Sequence, residues 1–113
     1  MNVNLINVPR TYHKLIKKTV EDFSESHHLN RKSVVNISFI SKYQIRILNN
    51  KYRQVNQPTD VLSFPIWQNL KEIPQRGKVA LGDIFICPKM TEIDNNLQKL
   101  ALHSLNHLIG KHH

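Results

Sequence analysis

Two hydrophobic periods alternate along the chain, and their order predicts its elements. VNLINV (3–8) reads as a strand, after which Pro9 opens a helix running to about residue 28, with Leu15, Ile16, Thr19, Val20 and Phe23 at helical spacing. VVNISFIS (34–41), rich in β-branched residues, predicts a second strand. A second helix is predicted from about Lys42 to Arg53, with Ile45, Leu48 and Tyr52 as its apolar edge. Beyond the polar turn QVNQP come two strands, TDVLSFPI (59–66) and VALGDIFICP (79–88). They are separated by WQNLKEIPQRGK, an irregular loop with Pro74 and Gly77. A last helix is expected from about Met90 to Ile109, broken near Asp94 to Asn96 and capped by Gly110. The order β-α-β-α-β-β-α predicts an α+β or α/β fold: a small mixed β-sheet of about four strands packed with helices, in a single domain over 1–113. No internal repeat, low-complexity tract or linker interrupts it.

Composition narrows the function. Sixteen Lys and Arg against eight Asp and Glu give a net charge of +8, spread along the chain. Such a balance attracts polyanions, nucleic acid first, although a solvated basic surface without a dedicated partner accounts for it equally. No apolar run approaches the ~18 residues of a membrane span, and MNVNLINVPR lacks the order of a signal peptide, so a soluble, cytoplasmic protein is expected. Cys87, the only cysteine, sits in the apolar run IFICP and reads as a packed thiol rather than a ligand or nucleophile. Arg10, Lys14, Lys17 and Lys18 read as the solvated face of the first helix, while Lys71, Arg76 and Lys78 form a basic loop that could touch phosphates without reading sequence. Asn49 and Arg53 fall ~40° apart on the second helix, near its apolar edge, an odd place for a surface charge.

The chain closes on HSLNHLIGKHH, with four of its seven histidines in eleven positions. His103 and His107, at i and i+4, project from one side of a helix about 6 Å apart along its axis, so two imidazoles can share one ion. Gly110 lets the chain fold back to bring His113 to the same ion, with His112 as a competing third ligand. Three protein ligands leave one position open, as in catalytic sites. The apolar face of Leu97, Ala101, Leu102, Leu105, Leu108 and Ile109 lies roughly 200° away, so the pair does not read as core; exposed histidines on a ragged end remain the alternative. The spacing H-x3-H-x2-G-x2-H is also that of metzincin proteases, but the general-base Glu after their first His is here Ser104, which makes a protease a poor reading.

LNNKYRQVNQPTDVLSFP (48–65), LGDIFICP (81–88) and HSLNHLIGKHH (103–113), in this order, resemble the YbeY family of metal-dependent endoribonucleases. The likeness covers about the last two-thirds of the chain. It implies His103, His107 and His113 as metal ligands, Arg53 as the active-site arginine, zinc as the ion, and a cytoplasmic role in ribosomal RNA maturation and small-subunit quality control. Single-stranded or ribosomal RNA and the small ribosomal subunit or its assembly factors are the implied partners; DNA is not expected. A planar, always charged guanidinium beside an open metal site suits phosphodiester hydrolysis, whose transition state carries extra negative charge. The sequence leaves open whether water or the ribose 2′-OH attacks.

Several positions depart from the family pattern. Its Gly after the first His is Ser104, its Leu before the second is Asn106, and its Tyr-Asp before the third is Lys111-His112. Losing an orienting Asp is expected to weaken metal binding ~10- to 100-fold. The segment before the first His is short for the family, and the chain stops at the third ligand, which places that ligand on a frayed end. The competing reading is therefore a catalytically impaired RNA- or ribosome-binding relative. Asp60 and Asp83 read as structural residues that cap turns or hold loop amides; His13, His27 and His28 read as solvated.

Overall fold

A computed structural model describes residues 1–111. Four strands, β1 (Asn2–Ile6), β2 (Ser33–Phe39), β3 (Val61–Pro65) and β4 (Val79–Ile86), alternate with three helices, α1 (His13–Ser26), α2 (Lys42–Arg53) and α3 (Ile93–Leu108). The strands form one sheet in the order β1-β2-β4-β3, with β1, β2 and β4 parallel and β3 antiparallel to β4. The mixed four-stranded sheet is thus the one expected. α1 makes the crossover between parallel β1 and β2, whereas β2 reaches its parallel neighbour β4 through α2 and the antiparallel β3.

The sheet separates two apolar layers. On one face Ile16, Val20 and Phe23 of α1 meet Leu97, Leu105 and Leu108 of α3 over Val35, Ile37, Ile84 and Ile86. On the other, Ile45 of α2 packs with Leu62 and Cys87. Cys87 is fully buried, as a packed thiol should be, although it lies one residue beyond β4. Leu15 and Leu102, which the periodicity places in the core, are exposed.

Local chemistry fixes the helix ends. Ser41 and Gln44 form a reciprocal capping box at the start of α2, each satisfying the other's backbone N–H. At the end of α3, Gly110 (φ +86°) donates to His107 O and Lys111 to Asn106 O, the paired 5→2 and 6→1 bonds of a Schellman motif. The expected break at Asp94 to Asn96 is absent. Pro88–Met90 instead makes a separate 3₁₀ turn, extended Thr91 divides it from α3, and Asn96 Nδ2 donates back to Thr91 Oγ1 at 3.1 Å. The segment 67–78 is also more ordered than an irregular loop: Leu70–Glu72 forms a turn, Ile73 is buried, and Trp67 Nε1 donates to Ala80 O at 2.8 Å.

Gly82 sets the distance between the sheet and α3. It follows a register shift against β2 and has φ +148°. A side chain there would run into the Phe64 carbonyl oxygen and stand 2.9 Å from Leu108 Cδ2. Only glycine permits β3, β4 and the end of α3 to approach this closely.

Candidate active site

The strand β3 alternates its side chains between the two apolar layers. Leu62 and Phe64 face α2, and Ser63 faces α3, where its hydroxyl is buried. As the edge strand, β3 also presents outward backbone groups that need partners. Arg53, the last residue of α2, supplies one: its Nη2 donates to Ser63 O at 3.2 Å. Its guanidinium carbon lies 5.6 Å from the centre of the Phe64 ring, while the side chain as a whole stays exposed. The odd charge near an apolar edge is thereby explained. Arg53 lies on the aromatic flank of the edge strand and caps its carbonyl.

Across the strand, the Ser63 hydroxyl meets His107 Nδ1 at 3.1 Å. His107 is half-buried and His103 exposed one turn earlier, their rings 4.4 Å apart and inclined by 54°. One serine therefore joins the arginine and the histidine pair, through its backbone on one side and its side chain on the other. Sequence reasoning assigned Ser63 no role. A polar residue at an inward-facing strand position, between Val61 and Pro65, is the signal that could have found it.

Asn49 sits one turn before Arg53, buried, and its Nδ2 donates to Gln57 O at 2.9 Å. It fastens the segment leading from α2 into β3. Gln54 closes α2 in the left-handed conformation, φ 58°, so the chain turns sharply after Arg53.

The third expected ligand, His113, and its competitor His112 lie outside the described residues. Among the described residues, no three His, Cys, Asp or Glu side chains stand together as a metal group. The adjacent imidazoles of His103 and His107 nevertheless fit an ion of zinc's borderline softness, and the contact of His107 Nδ1 with a hydroxyl is the kind that orients a ligating histidine. Ser104, where the family has Gly, is buried, and its Oγ has no hydrogen-bond partner among the described residues.

Other sequence expectations divide. Asp83 does not hold a loop amide: it accepts from Asn36 Nδ2 at 3.0 Å, and Asn36 Oδ1 accepts from Asn4 Nδ2 at 2.9 Å, a polar row across β4, β2 and β1. Asp60 is structural: its Oδ1 accepts from Thr59 Oγ1 at 3.4 Å, and its backbone oxygen accepts from Cys87 N at the end of β4. His13 and His27 are not simply solvated, since His13 Nε2 meets Val8 O at 2.8 Å and His27 stacks on Phe23 at 4.2 Å; His28 is exposed. Lys71, Arg76 and Lys78 are exposed in the segment 67–78.

Fold and site together define a small α+β protein that holds an arginine and a histidine pair at one sheet edge. The chain belongs to the endoribonuclease YbeY family, whose model matches residues 2–113. It is similar to the endoribonuclease YbeY of Oceanobacillus iheyensis, 28% identical over 120 residues that cover 95% of this chain and 78% of that protein. The endoribonuclease YbeY of Staphylococcus aureus strain Newman is 29% identical over 118 residues, 94% of this chain and 76% of the relative. Among solved structures, the solution structure of TM1509 from Thermotoga maritima shares the fold, with a TM-score of 0.57 and 24% identity over 98% of this chain and 74% of that one. No described helix is long and apolar enough to cross a membrane.

Proposed function

We propose that this chain is a zinc-dependent endoribonuclease that cuts single-stranded RNA in the cytoplasm, in ribosomal RNA maturation and quality control of the small ribosomal subunit. In this reading one ion per chain is held by His103, His107 and His113, with His112 able to replace the last. Family membership supports RNA hydrolysis. The observation that carries the site is the double engagement of Ser63, by Arg53 on one side and His107 on the other.

The residues divide the work. With Nδ1 placed against Ser63, His107 would ligate through Nε2, and its Nδ1–H would donate to the serine hydroxyl. When bound, zinc supplies a Lewis acid and an acidified water. Arg53 commits one N–H to Ser63 O, and its remaining donors would meet charge developing on a phosphoryl group. That role needs no proton transfer from the arginine, because guanidinium stays charged at any working pH.

Cleavage of a labelled single-stranded RNA by the untagged protein and by Arg53→Ala, purified in parallel with and without chelator, tests the reading. Cleavage lost with both the chelator and the substitution supports it. Equal cleavage by the two proteins identifies a contaminating nuclease. RNA binding without cleavage in either protein points to the impaired, assembly-factor reading.

A further inference from the structure

The cations of α2 are arranged differently from those elsewhere on the surface. The helix KYQIRILNNKYR carries Lys42, Arg46, Lys51 and Arg53, all exposed, and no acid. At ~100° per residue, Lys42, Arg46 and Arg53 lie within about 40° of one another, a line roughly 16 Å long that ends at the candidate active-site arginine.

Exposed rings accompany these charges. Tyr43 is 65% exposed, with the Arg46 guanidinium carbon 5.8 Å from its ring centre. Tyr52 is half-exposed, with Lys51 Nζ at 5.1 Å, and stands edge-on to Phe64, the ring beside Arg53. Ile47 is exposed on the same side of the helix as Tyr43, four residues on. A single exposed tyrosine needs no explanation. At ~100° per residue Tyr43 flanks the Lys42–Arg46–Arg53 line on one side and Tyr52 flanks it on the other. Aromatic faces beside charge of one sign are what a single strand requires, since phosphates are met by cations and bases by rings.

We propose that α2 is the RNA-binding track of this chain, with phosphates on Lys42 and Arg46, a base stacked on Tyr43, and the strand led toward Arg53. This rests on the endoribonuclease reading and adds to it the surface that holds the substrate. α1 provides the internal contrast. Its three lysines share the helix with Glu21, Asp22 and Glu25, Lys18 pairs with Asp22 at 3.3 Å, and no exposed ring stands among them.

The test is fluorescence anisotropy of a labelled single-stranded 2′-O-methyl oligoribonucleotide, titrated at several salt concentrations and checked for integrity on a gel. Lys42→Ala/Arg46→Ala should weaken binding and lower the slope of log K against log salt by about 1.4, two contacts at about 0.7 each. Tyr43→Ala should weaken binding about tenfold with the slope unchanged, and Tyr43→Phe should restore it. Lys14→Ala/Lys17→Ala should alter neither quantity. Circular dichroism on each variant separates loss of contact from loss of helix. Parental affinity and slope in the folded α2 variants, or a larger loss from the α1 pair, overturns the track while leaving the nuclease reading intact if the parent cleaves RNA. A parent that neither binds nor cleaves RNA overturns both.

Discussion

α1 and α2 both present cations to solvent, yet the two helices stand in different relations to the rest of the molecule. On α1 three lysines share the helix with three acids, and the Lys18–Asp22 pair is three-fifths or more exposed on both sides. Such a pair contributes little. On α2 no acid offsets the charge, and the last cation is fixed by a sheet-edge carbonyl next to a histidine. Net charge alone therefore does not mark a functional surface. What distinguishes α2 is the absence of compensating acids together with a connection, through Ser63, to the only described place where an arginine and a histidine pair converge.

The comparison breaks most sharply at its ends. Arg53→Ala should lower RNA cleavage by about 10²- to 10³-fold, the scale of one lost transition-state donor, whereas Lys17→Ala on α1 should leave the rate within twofold. Comparable losses from both, measured as initial rates, would remove the distinction. Next in size is the joint between β3 and α3. Gly82→Ala forces a methyl group against the Phe64 carbonyl and Leu108, and should cost about 1–3 kcal/mol, read as a lowered denaturant midpoint.

Ser63→Ala sharpens the contrast further, because it removes the hydroxyl under His107 and leaves intact the backbone oxygen that Arg53 caps. Zinc affinity, followed by competition with a chromophoric chelator, should fall about 10-fold or more while oligonucleotide affinity holds. An equal fall in both would tie the serine to α2 rather than to the histidines. Ser104→Ala should act in the opposite direction, raising stability by about 1 kcal/mol through removal of a buried hydroxyl that no described group satisfies.

The smallest effect lies at the opposite end of α3 from the histidine pair, where the Tyr12 hydroxyl donates to Asp94 at 2.8 Å and so joins the start of α1 to the start of α3. The hydrogen bond to Asp94, with smaller contributions from burial and the carboxylate's charge, holds the phenol above its ordinary value of 10.0. A raised pKa favours the protonated form in the folded state, so this contribution is present below pH 10 and is lost as pH rises through the elevated value. Tyr12→Phe should therefore flatten the alkaline limb of the stability profile and leave cleavage at neutral pH untouched.

Much of the fold was legible because its signals are local. The α2 limits, Lys42 to Arg53, were legible from apolar spacing, and Gly110 marked the end of α3 by its conformational freedom; the capping box of Ser41 and Gln44 that opens α2 went unread. The strands were readable from β-branched runs, with ends that differ by at most two residues from those expected. The misplaced break in α3 came from weighting the helix-poor Asp94 to Asn96 over Thr91, whose extended backbone and side-chain bond to Asn96 divide the turn from the helix.

The candidate site divides along the same line. That His103 and His107 share a face required only the 3.6-residue turn, and that Arg53 lay near an apolar edge required only the wheel. Their meeting could not be read in that way. Ser63 and His107 are 44 positions apart, and they touch because β3 turns back antiparallel to β4 at the sheet edge while Gly82 lets α3 close over it. The sequence by itself determined the elements, the spacing of the histidine pair and the charge of α2, all set by forces between near neighbours. Only the tertiary structure decided that one buried serine joins arginine to histidine, because strand order and side-chain burial arise from contacts between segments that the chain's local pattern does not encode.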